Sequence, residues 1–237
     1  MTCRKKFTLL ELLVVIAIIG VLLTMLLPSL SKARYMARIA VCASSVKQNG
    51  TAMTAYSIAN DQHVPTRGTY TSPQYHRYFW VSNINDFTVL GKVWQEGFIS
   101  DPQTLFCAEA NITLAGTFKS YEYYVENGSF SPISVVNNRG AGAARSNYVF
   151  YPYQTNNTNW NKLLLSKMDS EGMFLSDDLW TIAHNRTNTV GWNISKTDLS
   201  VKFIKNKSAY SYVQSQTGVW NDWAKTGTIR DFLMNSF

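Results

Sequence analysis

The stretch Phe7-Thr-Leu-Leu-Glu11 opens an apolar run that continues to Leu27 and is followed by Pro28. A helix rises about 1.5 Å per residue, so residues 7–27 cover roughly 31 Å, enough to cross the hydrocarbon core of a bilayer. Glu11 carries the only charge in this run. A carboxylate at mid-bilayer costs about 2.5–3.5 kcal/mol, and less near the edge, so its presence indicates a functional role.

A short basic leader, Met1-Thr-Cys-Arg-Lys-Lys6, precedes the apolar run. By the positive-inside rule it places the N-terminus in the cytoplasm and the bulk of the chain across the membrane. A secretory signal peptide has a shorter apolar core and a small-residue cleavage site, which this run lacks. An ordinary signal anchor fits the hydropathy equally well but leaves Glu11 unexplained.

The leader, the Phe-Thr-Leu-Leu-Glu sequence and Pro28 fall in one register, in which residues 1–28 resemble the class III signal of type IV pilins, type II secretion pseudopilins and related minor pilin-like proteins. The resemblance implies that a prepilin peptidase cuts between Lys6 and Phe7 and methylates the new N-terminus. The family usually has Gly before the cut, where this chain has Lys6. Many members carry a proline at the position of Pro28, which predicts a helix kink.

The resemblance also implies a function: a subunit stored in the membrane and polymerised through its helix into a pilus-like or pseudopilus fibre. In the family the mature N-terminal amine, here on Phe7, is neutralised by the Glu of a neighbouring subunit, here Glu11. The expected partners are prepilin peptidase, other pilin or pseudopilin subunits, the inner-membrane assembly platform and membrane lipid. The expected location is a single inner-membrane pass, with the C-terminal domain periplasmic or extracellular.

Small and apolar residues recur at threes and fours beyond Pro28, which predicts an amphipathic continuation of the helix. The expected fold class is α+β: a long N-terminal helix, half membrane-spanning and half amphipathic, packed on a small antiparallel sheet in the lollipop shape that the pilin resemblance implies. The expected divisions are the leader, the transmembrane helix, the amphipathic helix and an extracytoplasmic domain, at residues 1–6, 7–27, 28–60 and 61–237.

Local patterns predict short elements within the domain. Residues 86–96 predict a helix because their apolar residues share a face, and Gly97 follows as a left-handed stop. Residues 220–223 and 229–233 could form a last short helix. Runs of β-type residues predict strands at residues 121–125, 148–151, 173–175, 189–194, 199–204 and 210–213.

A second, weaker resemblance covers His184-Asn185, Val190 and residues 198–203. These residues are similar to the His-to-Asp-Gly hairpin that ends many bacterial pilin-like proteins of one large subfamily. Leu199 stands where that subfamily usually has Gly. The resemblance implies a β-hairpin rather than any chemistry.

The chain has three cysteines, of which Cys3 lies in the leader. Cys42 and Cys107 remain after processing, in a compartment that permits disulfides. Similar pilin-like proteins often carry a cysteine at each of these places, so the resemblance favours a bridge, worth on the order of 4 kcal/mol in the loop-entropy model. The alternative is two buried free thiols.

The sequence lacks the G-x-S-x-G, P-loop and H-E-x-x-H motifs of hydrolases and nucleotide triphosphatases, which predicts a non-enzyme without a cofactor. His63, His76 and His184 are scattered, and a disulfide cysteine is favoured over a dyad of Cys107 with His184. Asp177 and Asp178 are weak candidates for a calcium site, since some pseudopilins bind calcium in their C-terminal domain. The alternative is an exposed turn.

The net charge of +7 falls to +4 when Arg4, Lys5 and Lys6 are removed, so most of the basicity belongs to the leader. Nucleic acid is not indicated, because no stripe of basic and aromatic residues is present. The 7 tryptophans and 13 tyrosines favour core and subunit packing over a carbohydrate site. The alternative function is a membrane-anchored module that binds glycan or protein and never polymerises.

Overall fold

The computed structural model describes residues 8–65, 78–81, 86–107, 118–119, 143–146, 148–150, 164–177, 184–186, 189–215 and 223–237. The chain divides into two compact units, Met1–Arg38 and Ile39–Phe237. The first helix, α1, spans Leu9–Ala59 and contributes residues to both units. Its bounds agree with the helix predicted from residue 8 to about residue 60.

The part of α1 that belongs to the second unit buries one face. Cys42, Val46 and Met53 are each 0% exposed, and they follow one another at spacings of four and seven residues. Such spacings place side chains on one side of a helix that has 3.6 residues per turn. Helix α1 is therefore amphipathic over residues 39–59, and it continues through Gly50, which is itself buried.

Helix α1 ends in a left-handed turn made without glycine. Asp61 and Gln62 have φ values of 52° and 66°, which reverse the direction of the chain. The Gln62 carbonyl then accepts a hydrogen bond from the Leu165 backbone N–H at 2.7 Å, and His63 forms an isolated bridge with Leu164. The end of α1 is thus joined to a segment one hundred residues later in the chain.

A four-stranded sheet comes first in the second unit. Its strands are β1 (Tyr78–Val81), β2 (Asp86–Phe87), β3 (Phe118–Lys119) and β4 (Ala143–Arg145), in the order β2-β1-β4-β3. Strand β1 is antiparallel to β2 and β4, whereas β3 and β4 are parallel. The parallel pair of β3 and β4 is a feature that the sequence did not predict.

Helix α2, Leu90–Gln95, follows β2 and is shorter than predicted. The expected helix of residues 86–96 is wrong in its first turn, because Asp86 and Phe87 pair with β1 instead. The stop is confirmed: Gly97 has a φ of 83°, and its N–H donates to the Trp94 carbonyl at 2.9 Å. Glycine adopts this conformation without the steric cost that a Cβ brings.

A second sheet contains β5 (Tyr148–Phe150), β6 (Met173–Asp177), β7 (His184–Arg186), β8 (Thr189–Lys196) and β9 (Val201–Ile204). Its order is β5-β6-β8-β7, with β9 also paired to β8, and every pairing is antiparallel. Four of the strands predicted from β-type residues are thereby confirmed within two residues at each end. The strand predicted at residues 121–125 lies outside the described residues.

The second sheet buries both of its faces. Tyr148, Phe150 and Leu175 pack in one cluster with α1 residues such as Val46 and Met53. The opposite face of the sheet packs against two C-terminal helices, α3 (Lys207–Ser215) and α4 (Trp223–Met234). The strand residues of this second cluster include Val149, Trp192, Ile194 and Ile204. The sheet therefore lies between residues 39–59 of α1 and a pair of helices that the sequence only partly predicted.

Helix α3 corrects a prediction, since residues 210–213 were expected to be a strand. The Asn206 side-chain carbonyl accepts a hydrogen bond from the Ala209 backbone N–H at 2.8 Å, the geometry of a helix N-cap. Ala209 and Val213, four residues apart, are both buried against the sheet. Burial and the cap thus outweigh the β-propensity of Tyr and Val. The last predicted helix is present as α4.

The hairpin implied by the second resemblance joins β8 to β9. The Lys196 N–H donates to the Ser200 carbonyl at 3.0 Å, and Asp198 accepts from the Ser200 N–H at 2.8 Å, which closes the turn. Hydrogen bonds from the Ser200 hydroxyl and, to a lesser extent, from this Ser200 N–H lower the pKa of the Asp198 carboxyl. Leu199 has a φ of 65°, the left-handed conformation that a glycine would adopt more readily.

Candidate functional site

The apolar run is fully exposed within its own unit. Every side chain of residues 8–34 is exposed, from Leu9 at 81% to Val14 at 45% among the large hydrophobic residues. Among the residues that the structure describes, α1 is the one helix long and apolar enough to cross a membrane; its most apolar window has a mean hydropathy of 2.9 and is 0% buried. This length and composition fit a transmembrane segment.

Glu11 lies at the start of this helix, in a capping arrangement that sequence reasoning missed. Its carboxylate oxygen Oε2 accepts from both the backbone N–H and the hydroxyl of Thr8, each at 2.8 Å. In return the Thr8 hydroxyl accepts from the Glu11 N–H at 3.3 Å. This reciprocal pair is the capping box, for which the sequence signal Thr-x-x-Glu was available.

The other predicted residues of this segment have different outcomes. Lys6 and Phe7, the proposed processing site, lie outside the described residues. Helix α1 runs unbroken through Pro28, so the predicted bend of its axis stays a prediction. Near the proline, the Ser29 hydroxyl donates to the Leu26 carbonyl at 2.8 Å and the Thr24 hydroxyl to the Val21 carbonyl at 2.7 Å. These bonds pair two hydroxyls that would cost free energy if they were left without a hydrogen bond in apolar surroundings.

Cys42 and Cys107 form a disulfide, with their Cα atoms 5.3 Å apart. Cys42 is 0% and Cys107 4% exposed, so the bond lies in the core beside α1. The alternative of two free thiols is thus not what the structure contains. A catalytic dyad of Cys107 with His184 is also excluded, because the sulfur of Cys107 is bonded to that of Cys42.

Polar contacts hold the segment that directly precedes Cys107. The side chain of Asn49, 0% exposed on α1, donates to the Thr104 carbonyl at 2.8 Å. The Ser146 hydroxyl donates to the Leu105 carbonyl at 2.8 Å and accepts from the Tyr148 N–H at 2.9 Å. The short 3-10 helix Pro102–Leu105 is therefore fixed to α1 and to β5. Leaving such a buried group unpaired costs about 1–3 kcal/mol.

Asp177 is buried at the end of β6, which corrects the expectation of an exposed turn. It is 0% exposed, and its Oδ2 accepts from the Asn193 N–H at 2.6 Å. The Asn193 side chain donates in turn to the Ile39 carbonyl of α1 at 3.4 Å. Burial and the nearby Asp177 carboxylate raise the pKa of the Tyr148 phenol. These residues form a polar layer between the sheet and residues 39–45 of α1.

No metal cluster of three His, Cys, Asp or Glu side chains occurs among the described residues. Asp177 is buried, with its carboxylate bonded to the Asn193 N–H, and Asp178 lies outside the described residues, as does His76. His63 follows the end of α1, where its Nδ1 lies 3.2 Å from the Asn60 carbonyl, and His184 begins β7.

A comparison with known proteins found no match to this chain among family models, curated sequences or solved structures.

Proposed function

We propose that this chain is a structural subunit of a type IV pilus-like or type II secretion pseudopilus fibre. Residues 9–27 hold the precursor in the inner membrane. Prepilin peptidase cuts between Lys6 and Phe7 and methylates the new N-terminus. The assembly platform then adds the subunit to the fibre through α1, and the rest of the second unit forms the periplasmic or extracellular domain.

The observation that carries this proposal is the exposed apolar part of α1, with a single carboxylate at its start. A soluble protein does not leave so long an apolar run uncovered, so the run needs apolar surroundings that its own unit does not supply. Lipid supplies such surroundings before assembly, and neighbouring helices supply them in a fibre. An anchor that only holds a domain in the membrane has no need of a charge at residue 11.

The chemistry assigned to Glu11 is the neutralisation of a charge. The amine that processing exposes on Phe7 is poorly solvated near the membrane, as is the Glu11 carboxylate. Pairing the amine of one subunit with the carboxylate of the next removes both unsatisfied charges. Both Thr8 donors meet Oε2, and a carboxylate has a second oxygen that can accept from a neighbouring subunit.

One observation favours a second candidate, a membrane-anchored binding module that does not polymerise. The capping box gives Glu11 a local role in starting α1, worth about 1 kcal/mol, which needs no neighbouring subunit. A lone anchor could retain the carboxylate for this reason alone. The two functions therefore differ in whether the charge of Glu11 or its capping bonds are required.

Two substitutions separate the charge from the cap. Glu11→Gln removes the charge but keeps the acceptor, because glutamine also serves in a capping box. Thr8→Val removes the capping hydroxyl and leaves the Glu11 charge in place. Cross-linking of the full-length protein in cells measures multimers, while N-terminal sequencing of each variant reports whether the chain begins at Phe7.

For a fibre subunit we expect Glu11→Gln to lower cross-linked multimers by at least about tenfold, since an uncompensated charge in the membrane costs about 2.5–3.5 kcal/mol. Thr8→Val should stay close to wild type, with a normal N-terminus in both variants. A wild type without cross-linked multimers would identify the lone anchor, and unchanged multimers in Glu11→Gln would overturn the role assigned to the Glu11 charge. An unprocessed N-terminus at Met1 in the wild type would contradict the processing step.

A further inference from the structure

Two exposed basic residues, Lys32 and Arg34, lie just beyond the apolar run and in the same unit. They follow Leu27 by five and seven residues, so they stand about 7.5 and 10 Å further along the helix axis. The interfacial layer of each leaflet is about 5–8 Å thick. When residues 9–27 span the hydrocarbon core, the backbone of both residues lies at the outer edge of the headgroups.

The helix directs these two side chains toward the membrane. In an α-helix each Cα–Cβ bond tilts toward the N-terminus, which here is the direction of the apolar run. Long Lys and Arg side chains keep their charged ends at the level of polar groups while their stems lie along apolar surface. Residues two apart are turned by about 200°, so Lys32 and Arg34 meet lipid on opposite sides of the helix.

The charge of this part of α1 is entirely positive. No Asp or Glu occurs from Leu12 to Asn60, so the nearest acids along the chain are Glu11 and Asp61. Acidic side chains of the same helix therefore do not compete with an anionic group for Lys32 and Arg34. Arg38 also lies here, but it already has a contact within the protein and is not needed for the site.

We infer that Lys32 and Arg34 bind the phosphate groups of anionic phospholipids in the leaflet that holds the C-terminal end of the apolar run. The inference rests on the membrane placement within the proposed function and not on fibre assembly. Each basic residue near an anionic surface favours binding roughly fivefold. An anionic lipid should therefore be enriched several-fold beside the helix, and less so at high salt.

The full-length protein, reconstituted in phosphatidylcholine vesicles, tests the inference. Trace spin-labelled phosphatidylglycerol or phosphatidylcholine is added, and electron paramagnetic resonance measures the fraction of each lipid immobilised by the protein. The double variant Lys32→Gln/Arg34→Gln is compared with Lys47→Gln/Lys205→Gln, which removes the same charge from exposed residues elsewhere. The basic leader is unchanged in both variants and contributes equally. Vesicle flotation reports insertion independently.

We expect wild type and the control variant to prefer phosphatidylglycerol equally, by several-fold at low salt, and the Lys32→Gln/Arg34→Gln variant to keep only the preference that the leader contributes. An equal loss in both variants would assign the effect to net charge and overturn the site. No preference in an inserted wild-type protein would also overturn it, while leaving the fibre proposal intact. A protein that does not float with the vesicles would overturn the membrane placement on which both proposals depend.

Discussion

Two parts of α1, residues 9–27 and residues 39–59, differ in burial in the direction opposite to their apolar content. Residues 9–27 are the more apolar part, yet each of their side chains is exposed. Residues 39–59 contain more polar groups, yet Val46 and Asn49 are 0% exposed there. The difference teaches that apolar content alone does not place a segment in a protein core. Residues 39–59 bury a face matched to a sheet, whereas residues 9–27 require apolar surroundings that their own unit does not provide.

The largest expected effect comes from placing a charge in each part. Val46→Asp buries an unpaired carboxylate in the core and should destabilise the domain by about 4–5 kcal/mol. Ile19→Asp lies in the exposed run and should leave the domain unchanged, while it opposes membrane insertion by about 2.5–3.5 kcal/mol. Thermal unfolding of the full-length protein in detergent, followed by tryptophan fluorescence, measures the first effect.

Extraction of cell membranes at alkaline pH measures the second effect. Ile19→Asp should shift protein from the membrane pellet to the soluble fraction, with an unchanged unfolding midpoint in detergent. A domain destabilised equally by Ile19→Asp and Val46→Asp would contradict the distinction between the two parts of α1.

The disulfide should contribute the next largest effect. Its sequence separation of 65 corresponds to about 4 kcal/mol in the loop-entropy model, so Cys42→Ala/Cys107→Ala should lose that much stability. Urea unfolding of wild type and variant in detergent measures the difference. Reduction of the wild type should reproduce it, because the same cross-link is removed; a reduced wild type with an unchanged midpoint would count against the estimate.

The smallest effect concerns alkaline pH, where only the buried part should respond. Tyr148 packs in the cluster with Val46, and its pKa is raised in the folded state above the unfolded value of about 10. The contribution of the neutral Tyr148 phenol to the free energy of unfolding is fully present below pH 10. Above pH 10 the phenol ionises in the unfolded chain, and this contribution falls by about 1.4 kcal/mol per pH unit. Unfolding of Tyr148→Phe should show a shallower alkaline loss than wild type. Equal slopes would remove this role from Tyr148.

The elements that the sequence predicted are those set by local pattern. The apolar run and the recurrence of small and apolar residues at threes and fours suffice for α1, and strong β-type runs suffice for β6 and β8. Local signals failed where distant residues decide the outcome. Residues 210–213 form a helix because the sheet buries Ala209 and Val213, and Asp86 and Phe87 leave the predicted helix to pair with β1.

The site was predicted unevenly for the same reason. The resemblance predicted the disulfide. The Thr8–Glu11 cap was not predicted, although the sequence contains its local signal, Thr-x-x-Glu. The polar layer of Asp177, Asn193 and the Ile39 carbonyl had no such signal, since it spans 154 residues of sequence. Asp177 is buried because β6 continues two residues beyond Leu175, which carries it to the position opposite Tyr148.

The disulfide also has a mechanical consequence. Tension applied to residues 9–38 enters the second unit at Ile39, and Cys42 is reached three residues later. The load then passes through the S–S bond to Cys107, so residues 43–106 lie off the force path between the two ends of the chain. Cleaving the bond would release roughly 220 Å of extensible chain, at about 3.4 Å for each residue of the 65-residue separation. A pull that the oxidised protein resists would therefore lengthen the reduced protein.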